Sequence, residues 1–352
     1  MISVIYDNVI FNLQKSGGIS VYWKELIERI QKENSVHLEI LEYQDAECNI
    51  FRKDLNFNDV QVKIMSSFPS LKINRYINPQ IKGNGNKIFH SSYYRTVKAQ
   101  GVKNIVTVHD FTYERKLKSF VSKFHIYQKM KALKNADGII CISKNTKKDM
   151  LELYPELREK NIKVIYNGFS SNDYVYDENI PFENLALFVG ARKGYKNFDK
   201  AVEVVAATED LKLIIVGAAL DRLEKELLDR TLPKRYHLFT HVSNEKLNEL
   251  YNKSICLLYL SEYEGFGIPV LEAMSAGCPI VALKKSSIPE VAGDAGILFS
   301  NFDKNALQKT IELLRDNKEL RTKQIELGLN NAKRFSWDKC YKEVLDFYNE
   351  VI

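Results

Sequence analysis

Short apolar runs alternate with helix-periodic segments along nearly all of this 352-residue chain. No other feature constrains the fold as strongly. In the first half, strand-like runs fall at Ile2–Tyr6, Val36–Leu41, Lys87–His90, Asn104–Val108, Gly138–Ser143 and Lys163–Tyr166. Helix-like segments fall at Ile19–Gln31, Lys118–Asn135 and Lys144–Tyr154. Apolar runs separated by periodic helices predict buried parallel sheets with helical crossovers. The stretch that begins Phe169-Ser-Ser-Asn-Asp is polar, rich in turn residues and without period, and predicts a linker over 169–183. The alternation then restarts, with strands at Leu185–Val189, Leu211–Val216, Tyr236–Phe239, Ile255–Leu260, Pro279–Ala282 and Gly296–Phe299. Helices fit at Asn197–Ala207, Leu220–Leu228, Asn244–Asn252, Pro269–Ala276 and Asn305–Asp316, and then on towards the C-terminus. The expected fold is therefore α/β, with two Rossmann-like doubly wound domains, 1–168 and 184–335, facing an interdomain cleft. In such a fold ligands sit at the carboxyl ends of the strands.

Composition removes several classes. An apolar fraction of 45% excludes a mainly disordered chain. No run of about 18 apolar residues predicts a spanning helix. The opening Met1-Ile-Ser-Val-Ile-Tyr reads as a buried strand rather than a signal peptide. Five dispersed cysteines without a Cys-x-x-Cys pair fit reduced thiols and a cytoplasmic location. The charge is uneven: residues 1–168 carry +10 and the rest −4. Arg115, Lys116, Lys118, Lys123, Lys129, Lys131 and Lys134 fall within 115–134 with no acid after Arg115, and Phe120, Phe124, Tyr127 and Met130 are interleaved at helical spacing. This predicts a helix whose aromatic stripe packs inward beneath a solvated basic face. The other reading is a surface for anionic lipid headgroups or a phosphate-bearing substrate, with peripheral contact at the inner face of the membrane. Nucleic acid is not an expected partner, because no recognition module is present.

The sharpest local signal is Glu264-Gly-Phe-Gly-Ile-Pro-Val-Leu-Glu272. A buried strand ends before it, a Gly-x-Gly turn follows, and Pro269 suits the start of a helix. Glu264 is expected on the turn and Glu272 in the first helical turn, beside amides without intrahelical partners. Carboxylates there accept from sugar or ribose hydroxyls, while amides and helix dipole favour phosphate oxygens. A second signal is Gly190-Ala-Arg-Lys-Gly-Tyr-Lys196 at another strand end, where Arg192 and Lys196 form a cation pair suited to a diphosphate. Gly17-Gly18 opens the first helix and permits close backbone approach. His109 and Asp110 close a strand, at an edge where a site would lie. The Gly83-Asn-Gly cluster precedes a strand and reads as a turn. A Walker loop, Gly-x-Ser-x-Gly, His-Glu-x-x-His and Asp-x-Asp are all missing, and the histidines lack metal-ligand spacing.

These segments, in this order, resemble family 4 of the retaining glycosyltransferases, which have the GT-B fold. The Glu264–Glu272 spacing matches that family's E-x7-E motif. Ser16-Gly-Gly-Ile, Thr107-Val-His-Asp, Cys141-Ile-Ser-Lys-Asn-Thr, Val164-Ile-Tyr-Asn-Gly, Ser286-Ser-Ile-Pro-Glu-Val and Phe335-Ser-Trp-Asp extend the resemblance over nearly the whole chain. The resemblance implies that Glu264 contacts the transferred sugar near the reacting centre and that Glu272 holds the nucleotide ribose. It implies that Phe266, Gly267 and Ile268 offer backbone amides, and that Arg192 and Lys196 bind the diphosphate as leaving group. Gly190 lies on the donor side, Gly18 approaches the phosphates, and His109 contacts donor sugar or acceptor. It implies a nucleotide-diphosphate sugar as donor, a saccharide or lipid-linked acceptor, no metal and no cofactor. It also implies an acceptor-side domain 1–168 onto which a final helix, 336–352, packs back. A GT-B-type epimerase and a non-catalytic sugar-nucleotide binder are the alternatives. An NAD-linked oxidoreductase is disfavoured by the missing glycine fingerprint.

Overall fold

The structure is a computed structural model and describes residues 2–57, 60–66, 75–82, 85–116, 120–192 and 194–352, leaving aside the side chains of 120 and 121. The expected helix start at Lys118 and the Gly83–Asn84 pair lie outside the described residues. The chain divides into two compact units, one of Met1–Gly168 with Trp337–Ile352 and one of Phe169–Ser336.

The first unit is built on strands β1 (Ile2–Asp7), β2 (Val36–Tyr43), β3 (Gln61–Met65), β4 (Lys87–Ser91), β5 (Val102–Val108), β6 (Gly138–Cys141) and β7 (Asn161–Val164). They form a parallel sheet in the order β3-β2-β1-β4-β5-β6-β7. The second has β8 (Leu185–Val189), β9 (Lys212–Val216), β10 (Tyr236–Phe239), β11 (Cys256–Tyr259), β12 (Ile280–Leu283) and β13 (Gly296–Phe299). It is parallel too, in the order β10-β9-β8-β11-β12-β13. Each sheet reverses direction once, between β1 and β4 and between β8 and β11. Loops at those two reversals diverge and leave a crevice at the strand ends. The doubly wound α/β expectation holds for both units.

The helices used below are α1 (Gly18–Ile30), α2 (Phe120–Asn135), α3 (Lys144–Leu153), α4 (Phe198–Ala207), α5 (Arg222–Thr231), α6 (Asn244–Lys253), α7 (Ile268–Ser275), α8 (Lys304–Asp316), α9 (Lys318–Ala332) and α10 (Trp337–Val351). Helix α10 is amphipathic, and its buried Trp337, Cys340, Val344, Phe347 and Tyr348 join Val4, Tyr6, Tyr22 and Trp23 in the core of the first unit. Tyr348 also enters a buried polar chain. Its hydroxyl lies 3.1 Å from Tyr6 Oη and 2.5 Å from His90 Nδ1, while His90 Nε2 lies 2.8 Å from Thr107 Oγ1. Gly138 in β6 leaves room for the Phe347 ring, which a Cβ would overlap.

Two expectations about the basic segment are corrected. On α2 it is Ser122, His125, Gln128 and Lys129 that face inward, whereas Phe124 and Tyr127 stand 56% and 60% exposed. The inner face is polar because its partners are polar. Tyr93 Oη lies 2.7 Å from His125 Nδ1, and Gln128 Nε2 donates to Arg75 O at 2.5 Å. Lys129, expected on the outer basic face, is buried. Its Nζ donates to Asp110 O at 2.9 Å and to Glu114 at 3.0 Å, and it lies over the Phe111 and Tyr94 rings. Burial lowers its pKa, and Glu114 and Asp110 oppose that shift. Arg115 is paired with Asp149 and Glu152, and Lys134 with Glu156. Lys123 and Lys131 remain exposed beside Phe124 and Tyr127.

Candidate active site

The second unit places its polar residues at the reversal of its sheet. The loop after β8 carries Gly190, Arg192 and Lys196, and the loop after β11 carries Glu264, Phe266 and Gly267. Because β8 and β11 are neighbours, both loops open on the same crevice. Lys196 Nζ donates to Glu264 Oε1 at 2.7 Å, with both side chains largely buried. The backbone stitches the two loops together, with Glu262 N donating to Tyr195 O at 2.8 Å. Asn197 adds a second stitch. It takes a left-handed conformation (φ 53°), and its Nδ2 donates to Leu260 O at 2.7 Å and, more weakly, to Glu262 Oε1 at 3.3 Å.

The glycine turn is fixed from beneath. Glu264 N donates to Ser286 Oγ at 2.7 Å, while Ser287 Oγ donates to Glu264 O at 2.9 Å and Phe266 O at 2.8 Å. Gly267 then adopts φ 109°, which a side chain would strain, and α7 begins at Ile268. Gly267 and Ile268 thus stand where helix amides lack intrahelical acceptors. Glu272 lies in the second turn of α7 rather than the first, because the helix starts at Ile268. It is half-buried, and Tyr251 Oη donates to its Oε2 at 3.1 Å. Burial pushes its carboxyl up to about 7, and the Tyr251 and Tyr174 hydroxyls pull the other way.

Arg192 does not reach the Lys196–Glu264 pair. It runs along the loop after β9, where Nη2 donates to Ala218 O at 2.9 Å and Ala219 O at 2.8 Å. Its Nε lies 2.9 Å from Glu224 Oε1, close enough to pair but off the N–H direction, and Nη1 is buried without a hydrogen bond among the described residues. Gly217 lets this loop pass close to Gly190, since a Cβ there would sit 2.6 Å from Gly190 O. Of the residues singled out in the sequence, the structure brings Lys196 and Glu264 together, sets Glu272 on the helix that follows, and holds Arg192 apart on the loop after β9. Sequence reasoning assigned no role to Asn197, Glu224, Ser286, Ser287, Tyr174 and Tyr251. Ser286 and Ser287 stood only inside a segment of the resemblance, and Asn197 carried a signal as a residue that tolerates left-handed backbone just before a helix.

Gly18 and His109 belong to the first unit. Gly18 opens α1, and His109 follows β5 with its ring edge-on to Tyr22 at 5.1 Å. Burial lowers His109 to about 4, Asp110 raises it and nearby Lys129 lowers it further, so the imidazole is neutral near pH 7.

Known proteins match both units. Residues 16–172 fit the model described as Glycosyltransferase Family 4, and residues 176–330 fit Glycosyl transferases group 1. An uncharacterised glycosyltransferase of Methanocaldococcus jannaschii is 27% identical over 350 residues, 95% of each chain. The O-antigen chain mannosyltransferase B of Escherichia coli is 30% identical over 182 residues, 48% of this chain and 46% of the relative. Among solved structures, sucrose-phosphate synthase from Thermosynechococcus elongatus superposes with a TM-score of 0.75 at 16% identity, covering 100% of this chain and 99% of the other. Anabaena HepE in complex with UDP and glucose superposes at 0.73 and 15% identity, covering 99% and 100%. Two parallel α/β units matched in this way define a glycosyltransferase with the GT-B fold. The chain belongs to the family 4 type.

Proposed function

We propose that this protein is a retaining glycosyltransferase that moves a hexose-type sugar from a nucleotide-diphosphate donor to a saccharide or lipid-linked acceptor, in the assembly of a surface polysaccharide or related glycan. The observation that carries the reading is the Lys196–Glu264 pair at 2.7 Å beside the start of α7. One cation, one carboxylate and a helix start converge at a single strand edge. The relatives named as O-antigen mannosyltransferases support a hexose and a saccharide acceptor, and the HepE complex supports a diphosphate nucleotide.

The costly step is cleavage between the anomeric carbon and the diphosphate oxygen. Negative charge grows on the diphosphate and positive charge on the ring. Lys196, the buried Nη1 of Arg192 and the Gly267 and Ile268 amides would take the first, and preorganised donors of this kind need no rearrangement as charge develops. Glu264, already beside Lys196, would accept from sugar hydroxyls and face the positive ring. Glu272 would accept from ribose hydroxyls, which requires its carboxylate form. Neutral His109 would contact sugar or acceptor hydroxyls. No metal is needed in this scheme, since protein cations and amides neutralise the leaving group.

Lys123, Phe124, Tyr127 and Lys131 on α2 support a peripheral contact with anionic lipid, lysines drawing the surface and aromatic rings entering the interface. Among the described residues no helix is long and apolar enough to cross a membrane. A cytoplasmic site of action belongs to the same proposal and is supported by the unpaired cysteines.

The test is a thermal-shift screen against UDP, GDP, dTDP and ADP, followed by acceptor-dependent release of the nucleotide that stabilises the fold. Retention is read from the anomeric proton of the product. Stabilisation by none of the four, or an inverted product, overturns the proposal. Turnover of donor without acceptor would favour an epimerase.

A further inference from the structure

Asp173 closes a turn and residues 174–177 follow along α6 outside any helix or strand, and the hydrogen bonds of 173–177 follow a simple rule. Asn244, Asn248 and Asn252 lie four apart on one face of that helix. Asn244 Nδ2 donates to Asp173 Oδ2 at 2.8 Å, Val175 N donates to Asn248 Oδ1 at 3.0 Å, and Asp177 N donates to Asn252 Oδ1 at 2.8 Å. Asn252 Nδ2 returns a bond to Val175 O at 3.0 Å. Four helical residues advance about 6 Å and two extended residues about 6.6 Å, so an asparagine every turn meets every second residue of the segment. The residues between, Tyr174 and Tyr176, also meet α7 and the turn that follows it. Ser275 Oγ donates to Tyr174 O at 2.6 Å, and the Tyr176 ring covers Gly277, where a Cβ would overlap it.

Tyr174 is buried and lies edge-on to Tyr251 at 5.9 Å; its hydroxyl donates to Asn244 Oδ1 at 3.4 Å and stands close enough to the Glu272 carboxyl to favour the carboxylate. Two phenols from different elements therefore flank one carboxyl group. We infer that Tyr174, delivered in register by the Asn244–Asn248–Asn252 ladder, is a positioning residue of the donor site that holds the Glu272 carboxylate for the nucleoside. This rests on the assignment of Glu272 to the ribose. A slip of one residue along the ladder would turn Tyr174 away from α7, since side chains alternate along an extended segment. The asparagines thus set the position of a hydroxyl that only Asn244 among them touches, at 3.4 Å.

The groups that face Glu272 are Tyr251 from α6, Tyr259 from β11, and Tyr174 and Asp173 from the segment 173–177. Of these, the Tyr251 and Tyr174 hydroxyls favour the carboxylate and Asp173 opposes it.

The experiment compares Tyr174→Phe, Asn248→Ala and Glu272→Gln with the unaltered full chain, using whichever of UDP, GDP, dTDP and ADP stabilises it most. Tyr174→Phe keeps the ring and removes one hydroxyl. Nucleotide Kd and donor KM are expected to rise about three- to tenfold, the size of one lost hydrogen bond. Acceptor KM and kcat at saturating donor should change less than about twofold. The pH below which nucleotide affinity falls should move upward, because a donor that favours the carboxylate has gone. Asn248→Ala should reproduce the donor-side loss with the hydroxyl still present. If Tyr174→Phe and Asn248→Ala lower only the melting temperature, leaving Kd and the pH limb in place, the role is packing and the inference falls. Glu272→Gln separates the two levels. Unchanged affinity in that variant overturns the ribose assignment and the inference with it. Weakened affinity there, with none in Tyr174→Phe, overturns the inference alone.

Discussion

Lys196 Nζ and Glu264 Oε1 lie 2.7 Å apart although 68 residues separate them in the chain. The contact exists because β8 and β11 are hydrogen-bonded neighbours on either side of the reversal in strand order. In the proposed reaction Lys196 would serve two acceptors in turn, the carboxylate before donor binds and the diphosphate as it leaves. Lys196→Ala should lower kcat by two to three orders of magnitude, about 2.7–4 kcal/mol of transition-state stabilisation. Single-turnover nucleotide release measures this, and turnover close to that of the unaltered enzyme refutes the role.

Ser287 bonds two carbonyls of the glycine turn and touches no proposed ligand. Ser287→Ala should cost about 1–3 kcal/mol of stability, since a buried and a part-buried carbonyl lose the one hydroxyl they share. It should also reduce kcat, because the turn carries Glu264. Denaturant melts beside kinetics check it, and a stability loss with unchanged kcat would confine Ser287 to the scaffold.

Glu272 sets a pH dependence. Its folded pKa, about 7, stands above the ordinary glutamate value of 4.5, so the fold favours the protonated form. The stability gained in this way is complete below the unfolded value and is lost as pH rises through about 7. Nucleotide affinity should run in the opposite direction, rising as the carboxylate forms. Unfolding free energies and nucleotide titrations between pH 5 and 8 should show these opposed trends, and Glu272→Gln should abolish both.

Lys129 and Lys123 should separate cleanly. Lys129→Ala leaves Glu114 buried without its partner and should destabilise by about 3–5 kcal/mol. Lys123→Gln with Lys131→Gln should leave the melting temperature alone and reduce sedimentation with anionic vesicles. Equal sedimentation of the double variant and the unaltered protein would sink the lipid contact.

What the sequence disclosed depended on which residues carry a local signal. Buried parallel strands announce themselves by apolar runs, and Glu264–Glu272 by the glycines and proline around it. The two edge strands of the first sheet do so poorly. Gln61–Met65 is half polar and passed as loop, and the strand expected at Lys163–Tyr166 lies at Asn161–Val164. The inward face of α2 was misjudged because a buried lysine with a glutamate partner looks, in one dimension, like a solvated one. Residues 173–177 read as loose linker for a similar reason. Their partners are asparagines on a helix some 70 residues later, and no local pattern joins the two.

Helix α10 also has a consequence for biosynthesis. Its Trp337, Cys340, Val344, Phe347 and Tyr348 complete a core whose other members come from the first half of the polypeptide, Val4 to Ile165. A ribosome must translate the whole of Phe169–Ser336 before supplying them, and until then the nascent amino-terminal half carries an open greasy trough. Such a chain invites chaperone capture, and a stalled or truncated product lacking that helix would be a natural target for proteolytic clearance.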